Sequence, residues 1–369
     1  VSRLLDARFG PLKQAYTDLA TLFMVEAQHI LRPGGRQVLV HPLAMFAAKD
    51  AGPARRRLAG HGAISGLWIT TEHIFDSALV FVGAVCLVKG GSRRSTVLRH
   101  HGNDFIPAES LPLDMDRLAA EPTWGALIAD LIGVPRVELP NPTRLGSLAS
   151  TTADFRDEFY GLAPFVVEDT VKTRNDRRFP PLIVTGLIDP AESLWGQRSC
   201  RFAKQKWERP RVDLAALRAQ GDLADWARGR LVPKLVVATQ TRVLEALADP
   251  EGILINSVPT ITVIPRDPEQ LWRLLAVLLA PPVSAWALVR YAGSALSIAA
   301  IKMSADQVAQ IPLPTLEAPW GEAAELVRRA SASSSDRLSL LGEAATKMCA
   351  AYEVPREPVW SWWRERLGD

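Results

Sequence analysis

AYTDLATLFMVEAQHILRPGGRQVLVHP, residues 15–42, holds a helix, its stop and a strand in one run. Leu19, Leu22, Phe23, Ala27 and Ile30 recur at helical spacing and give residues 15–32 one apolar face. Pro33-Gly34-Gly35 ends the helix, since proline has no N–H to continue it and glycine accepts the left-handed backbone of a cap. Gln37 to Val40 then reads as a short buried strand. Further on, Ala51 to Leu58 reads as a helix whose Arg55, Arg56 and Arg57 form a solvated turn. Ala63 to Ile69 and Ala78 to Val88 read as second and third strands, the latter closed by Lys89-Gly90-Gly91. Helix, strand, helix, strand, loop, strand, with continuous apolar strands, predicts an α/β sheet covered on both faces.

Residues 92–150 read as an irregular linker, with helical fragments near 114–120 and 124–132 and prolines at 122, 135, 140 and 142. A different texture begins near Phe155. Leu182–Ile188, Lys234–Ala238 and Ser257–Ile264 read as strands, and Asp249-Pro250-Glu251-Gly252 as a turn. Apolar helices follow at about 268–280 and 283–291. Glu322–Tyr352 reads as a helical pair, and VWSWWRERLG near the end must dock its three tryptophans or leave them as an exposed patch.

The 369 residues are 48% apolar and 22% charged with a net charge of +3, which excludes disorder and suggests two or three domains. Cys86, Cys200 and Cys349 lie far apart, which excludes a disulfide scaffold and a cysteine zinc site and suits a reducing cytoplasm. Leu271–Val289 is interrupted by Arg273 and Pro281-Pro282, so no membrane span is expected there. His100-His101 with Asp104 lacks a third ligand at fixed spacing, so no metal site is expected. Ser65, in GAISG, lacks the spacing of a hydrolase nucleophile.

The charge is unevenly spread. Arg198 to Arg242 carries eleven Lys or Arg against four Asp or Glu, an excess of +7, so the remainder is net −4. Within it Arg198, Arg201, Lys204, Lys206, Arg209 and Arg211 fall in fourteen residues, with Phe202 and Trp207 interleaved and only Glu208 opposing. Clustered cations bind polyanions by releasing counterions, so the cluster is a candidate phosphate-tracking segment; otherwise it is a solvated basic loop. Thr239, Gln240, Thr241 and Arg242 follow a strand, where glutamine can pair with adenine and arginine with guanine; otherwise they form a polar turn. Lys172 and Arg174, with Arg177 and Arg178, form a smaller basic loop, and Lys302 follows the apolar run Ile298–Ile301.

Residues 15–42, KDAGPARRRLA (49–59) and AISGLWITTEHIFDSALVFVGAVCLVKG (63–90) together resemble N6-adenine DNA methyltransferases of the type I and fused type II restriction-modification group. LIVTGLIDPAESLWG (182–196), RFAKQKWERPRVDL (201–214), PKLVVATQTRVLEALADPEG (233–252) and ALSIAAIKMSADQVAQIPLP (295–314) are similar to the target-recognition half of such enzymes. The resemblance covers about residues 15–316. It implies an α/β chain in which residues 1–91 are the C-terminal part of a seven-stranded S-adenosylmethionine-methyltransferase sheet. Residues 92–150 would be a linker, 151–320 an α/β target-recognition domain and 321–369 a helical tail. It further implies that the third strand runs antiparallel beside the first, that double-stranded DNA is the partner, and that Asp18 lies near the catalytic pocket.

The family's chemistry is missing from the sequence. No glycine-rich turn follows a first strand to hold S-adenosylmethionine, and no Asn/Asp-Pro-Pro-aromatic tetrapeptide is present to accept hydrogen bonds from adenine and stack on it. Asn141-Pro142-Thr143 lacks both the second proline and the aromatic ring. The chain alone is therefore expected to bind no S-adenosylmethionine and to have no catalytic residues of its own. It is either a piece of a longer enzyme or a non-catalytic specificity subunit whose partner chain completes the sheet. From another class, an assembly protein of a defence system remains open. A three-stranded remnant would leave one apolar edge bare.

Overall fold

A computed structural model describes residues 2–367 except 77, 79, 154–155, 175, 221–222 and 296; Phe155, the expected start of the second texture, lies outside the described residues. The fold is mixed α/β with several sheets. Contacts divide the chain into two compact units, Val1–Arg136 with Ala287–Lys302, and Val137–Trp286 with Met303–Asp369.

In the first unit a short helix, Ser2–Phe9, precedes helix α1 (Leu19–Ile30). Asp18 is its N-cap: the carboxylate accepts the Ala20 N–H at 2.7 Å, satisfying one of the donors a helix start leaves unpaired. At the stop, Gly34 takes φ +76° and its N–H donates to the Lys89 carbonyl at 2.8 Å. A side chain on Gly35 would fall 2.8 Å from the Arg32 carbonyl oxygen. The chain then enters β1 (Arg36–Pro42), followed by α2 (Gly52–His61), β2 (Gly62–Ile69) and β3 (Val82–Lys89). The third strand does run antiparallel beside the first, lying between β1 and β2. It starts at Val82, four residues later than expected.

The expectation of a three-stranded remnant and an irregular 92–150 is corrected. β4 (Arg94–His101) pairs parallel with β2, and β5 (Ile106–Asp114) pairs antiparallel with β4, so the sheet has five strands in the order β1-β3-β2-β4-β5. Neither added strand has an apolar run. In β4 the buried residues are Val97 and Arg99, and Arg99 grips Asp130 through both terminal nitrogens at 2.7 and 2.9 Å. Arg55, expected to be solvated, is also buried and donates to the carbonyls of Met45, Ala48 and Pro122 at 2.7–2.9 Å. The edge strand β1 exposes Val38 (62%) and Val40 (54%), and α1 exposes Leu19, Phe23 and Ile30.

The second unit holds β6 (Ala149–Ala153), a hairpin β7 (Cys200–Phe202) and β8 (Gln205–Trp207), and strands β9 (Lys234–Val237), β10 (Ala246–Asp249) and β11 (Ile261–Pro265). Four of these make an antiparallel sheet in the order β10-β9-β11-β6. Lys234 and Asp249, at the far end of the β9–β10 pair, form a buried ion pair of 2.5 Å, and the turn N–H groups of Ile253 and Leu254 complete the carboxylate. The expected strand 182–188 is broken: Leu182–Ile183 and Ile188–Asp189 are extended, with a tight turn at Thr185–Leu187 between them. Helix α3 (Leu271–Leu279) packs against α4 (Glu317–Ala332), where Trp320 donates its indole N–H to the Arg273 carbonyl at 2.8 Å. α5 (Arg337–Ala351) and α6 (Arg356–Arg364) follow. The expected separate tail is thus part of this unit, because Trp362 and Trp363 are buried in it. Among the described residues no single helix is long and apolar enough to cross a membrane.

Candidate nucleic-acid interface

The six-cation cluster folds as the β7–β8 hairpin and its flanks. Alternation sorts its residues by face. Cys200 and Phe202 are buried and Trp207 half-buried in a cluster with Leu182 and Val212, so both aromatics anchor the hairpin. Arg201 and Lys206 are exposed and directly opposite each other across the ladder. Between the strands, Ala203 and Lys204 both take positive φ, +50° and +66°, the geometry of a tight two-residue hairpin turn, which puts Lys204 at the tip. Lys206 makes an exposed ion pair with Glu208 at 2.9 Å, worth about 0–1 kcal/mol. Arg198 and Arg209 are exposed on the flanks, Arg209 standing 3.8 Å from Asp169.

Arg211 departs from the group. It is buried, donates to Asp169 and to the Phe179 carbonyl, both at 2.6 Å, and lies 4.8 Å over the Trp195 ring. The guanidinium expected to meet DNA is thus engaged inside the unit. Burial pushes the Asp169 carboxyl up, but Arg211 and then Arg174 outweigh it and hold the group below the usual carboxylate range.

Thr239–Arg242 lies in the loop from β9 to β10. Thr239 is likewise buried, its hydroxyl donating to the Pro259 carbonyl at 2.5 Å. Gln240 is half-buried at φ +65°, the Thr241 hydroxyl turns back to the Val243 carbonyl, and Arg242 is exposed. Lys172 is exposed, as is Arg174, which reaches Asp169 at 3.4 Å; Arg177 is exposed and Arg178 pairs with Asp176 at 2.7 Å. Lys302 is exposed but falls in the first unit. Sequence reading missed Glu245, at the loop's end: burial, then the Asp189 charge, raise its carboxyl to about 8 against the opposing effect of Arg198. Nothing in the local sequence marks it, since Asp189 and Arg198 come from distant positions.

Neither the Gly34 turn nor the first-unit cavity beside Pro42 offers the contacts S-adenosylmethionine needs. The Gly34 N–H is occupied by a carbonyl rather than free to cradle a ligand. A first-unit cavity of about 120 Å³, lined by Pro42, Leu43, Val80, Phe81 and Ile298, has no acid for ribose hydroxyls. Asn141 is committed to the fold, donating to the Pro314 carbonyl and accepting from the Thr143 N–H. Among the described residues no group of three or more His, Cys, Asp or Glu could hold a metal ion.

No family profile matches the sequence, and no curated protein does. Among solved structures, a Type IIL restriction-modification enzyme, MmeI, in complex with DNA aligns over 98% of this chain at 13% identity with a TM-score of 0.59. The chain shares that enzyme's fold. It spans about half of it, 54% of the length. The type IIG restriction endonuclease BpuSI aligns over 99% of this chain and 51% of its own at 11% identity and a TM-score of 0.38. A DrdV–DNA complex aligns over 90% and 41% at 11% identity and a TM-score of 0.45.

Proposed function

We propose that the second unit grips duplex DNA and reads its sequence, as the target-recognition part of an N6-adenine DNA methyltransferase of a cytoplasmic restriction-modification system. The observation that carries this reading is the like-charged pair Arg201 and Lys206 across one ladder, with Lys204 at the tip. Such a pair costs about 0.2–1 kcal/mol and a residue held at positive φ about 1–3 kcal/mol. A row of phosphates offsets both. The fold shared with an enzyme whose structure contains DNA supports the same reading.

In this reading Arg198, Arg201, Lys204, Lys206 and Arg209 track the phosphates, helped by Lys172 and Arg174. Gln240 and Arg242 reach base edges, each bidentate pair contributing about 1–3 kcal/mol of discrimination. Lys302, in the first unit, is a separate candidate phosphate contact. The methyl donor belongs to the complete enzyme, so the chain alone binds duplex and transfers no methyl group; transfer from labelled S-adenosylmethionine by the purified chain would contradict this. Fluorescence anisotropy of a 20-base-pair duplex at several salt concentrations tests the grip. The triple variant Arg201→Ala/Lys204→Ala/Lys206→Ala should flatten the slope of log K on log salt by about 2.7. Failure to bind duplex at any salt would favour the assembly-protein reading.

The exposed edge of β1 favours a second reading, a specificity subunit whose sheet is completed by a partner chain. Co-purification with a chain bearing the glycine-rich turn and the Asn/Asp-Pro-Pro-aromatic tetrapeptide distinguishes it.

A further inference from the structure

The segment after α6 reaches the loop that carries Gln240 and Arg242. Val359, Trp362 and Trp363 bury α6 in the second unit. Two residues beyond the helix, Arg366 lies over the Trp362 ring at 4.9 Å, and its Nε–H donates to the Arg242 carbonyl at 3.3 Å. Other ties hold the loop near its ends: the Thr239 hydroxyl on the Pro259 carbonyl, and the Leu244 N–H on the buried Ser284 hydroxyl at 3.0 Å. Between them the backbone passes through the left-handed conformation at Gln240. Arg366 braces this middle stretch from outside the loop.

We infer that Arg366 is a positioning residue for base recognition, fixing the backbone from which Gln240 and Arg242 project. The inference rests on the DNA reading above. Bidentate pairing with a base edge demands that donor and acceptor arrive together in one plane, which a loop free to exchange conformers cannot supply. A guanidinium stacked on tryptophan keeps a fixed plane, so its hydrogen bond to the Arg242 carbonyl costs little additional ordering. Lysine keeps the charge but not the fork, and cannot stack flat and donate along the same line. Burial, then the Arg242 charge, hold the Arg366 guanidinium below its usual range.

The test uses the full chain, as wild type, Arg366→Ala and Arg366→Lys, with two readouts. In selection from a pool of random-sequence duplexes, wild type should enrich a motif. Both variants should enrich one that is degenerate at one or two positions, with discrimination there reduced about 10-fold. Affinity for unselected duplex should change by less than about 2-fold, because phosphate contacts are untouched. In hydrogen exchange without DNA, amides 240–243 should exchange faster in both variants. Unchanged exchange in Arg366→Ala overturns the inference, as does full restoration of the motif by Arg366→Lys, which would make Arg366 a phosphate contact. If wild type binds no duplex while the variants still loosen the loop, the DNA reading fails, and the base-recognition role with it, while the brace stands.

Discussion

Arg201 and Arg211 belong to one basic cluster, yet one points to solvent and the other closes on Asp169, a residue 42 positions earlier in the chain. Asp169 in turn gathers Arg174 and Arg209, so one buried carboxylate organises three of the cations named as DNA contacts. Its folded-state pKa lies below the usual value, so its stabilisation is complete above the unfolded value near 3.9 and is lost as pH falls through the folded one. Asp169→Asn should therefore cost about 3–5 kcal/mol at pH 7 by leaving Arg211 buried without its partner. It should also make the acid limb shallower, as urea midpoints between pH 3 and 7 will show. Glu245 behaves oppositely. Raised to about 8, its carboxyl contributes stability that is full below the unfolded value near 4.3 and is lost as pH rises through 8. Glu245→Gln should flatten the fall in melting temperature between pH 5 and 8. At this scale the residue types of the proposed interface were legible from the sequence. Their division into exposed and buried cations was not, because it depends on carboxylates far away in the chain.

Under the proposed function, the hairpin is the element on which stability and binding pull apart. Its turn uses Ala203 and Lys204 where Asn-Gly is the usual choice for paired positive φ. Lys204→Gly should raise stability by about 1 kcal/mol while taking about 0.9 off the salt slope, a trade visible by urea titration beside anisotropy. The β9–β10 pair is closed by a different device. Asp249→Ala would strand a buried ammonium at Lys234 and should cost about 3–5 kcal/mol, measured by urea unfolding. Strands with apolar runs, such as β2, β3 and β9, were readable from sequence. β4 and β5 were not, because a strand that buries an arginine against Asp130, or lies at a solvated edge, shows no hydrophobic period.

At the scale of the whole molecule, the units cut across sequence order: residues 287–302 join the first and the C-terminal helices join the second. A net charge of +3 conceals the +7 of residues 198–242, so binding to duplex DNA should weaken steeply with salt despite the near-neutral total. By itself the sequence determined the helix stop at Pro33-Gly34-Gly35, the antiparallel third strand that the family resemblance implied, the clustered cations and the lack of a methyl-donor loop. The third strand's direction came from the resemblance alone, since it pairs residues as far apart as Arg36 and Val88; the others follow from backbone chemistry, local spacing and composition, which need no partner distant in the chain. Tertiary structure alone decided that the sheet has five strands, that Arg211 and Thr239 turn inward, and that Arg366 braces the loop bearing Gln240 and Arg242. Each of those outcomes depends on a contact between residues far apart in the chain, where burial, hydrogen bonding and charge pairing are settled together.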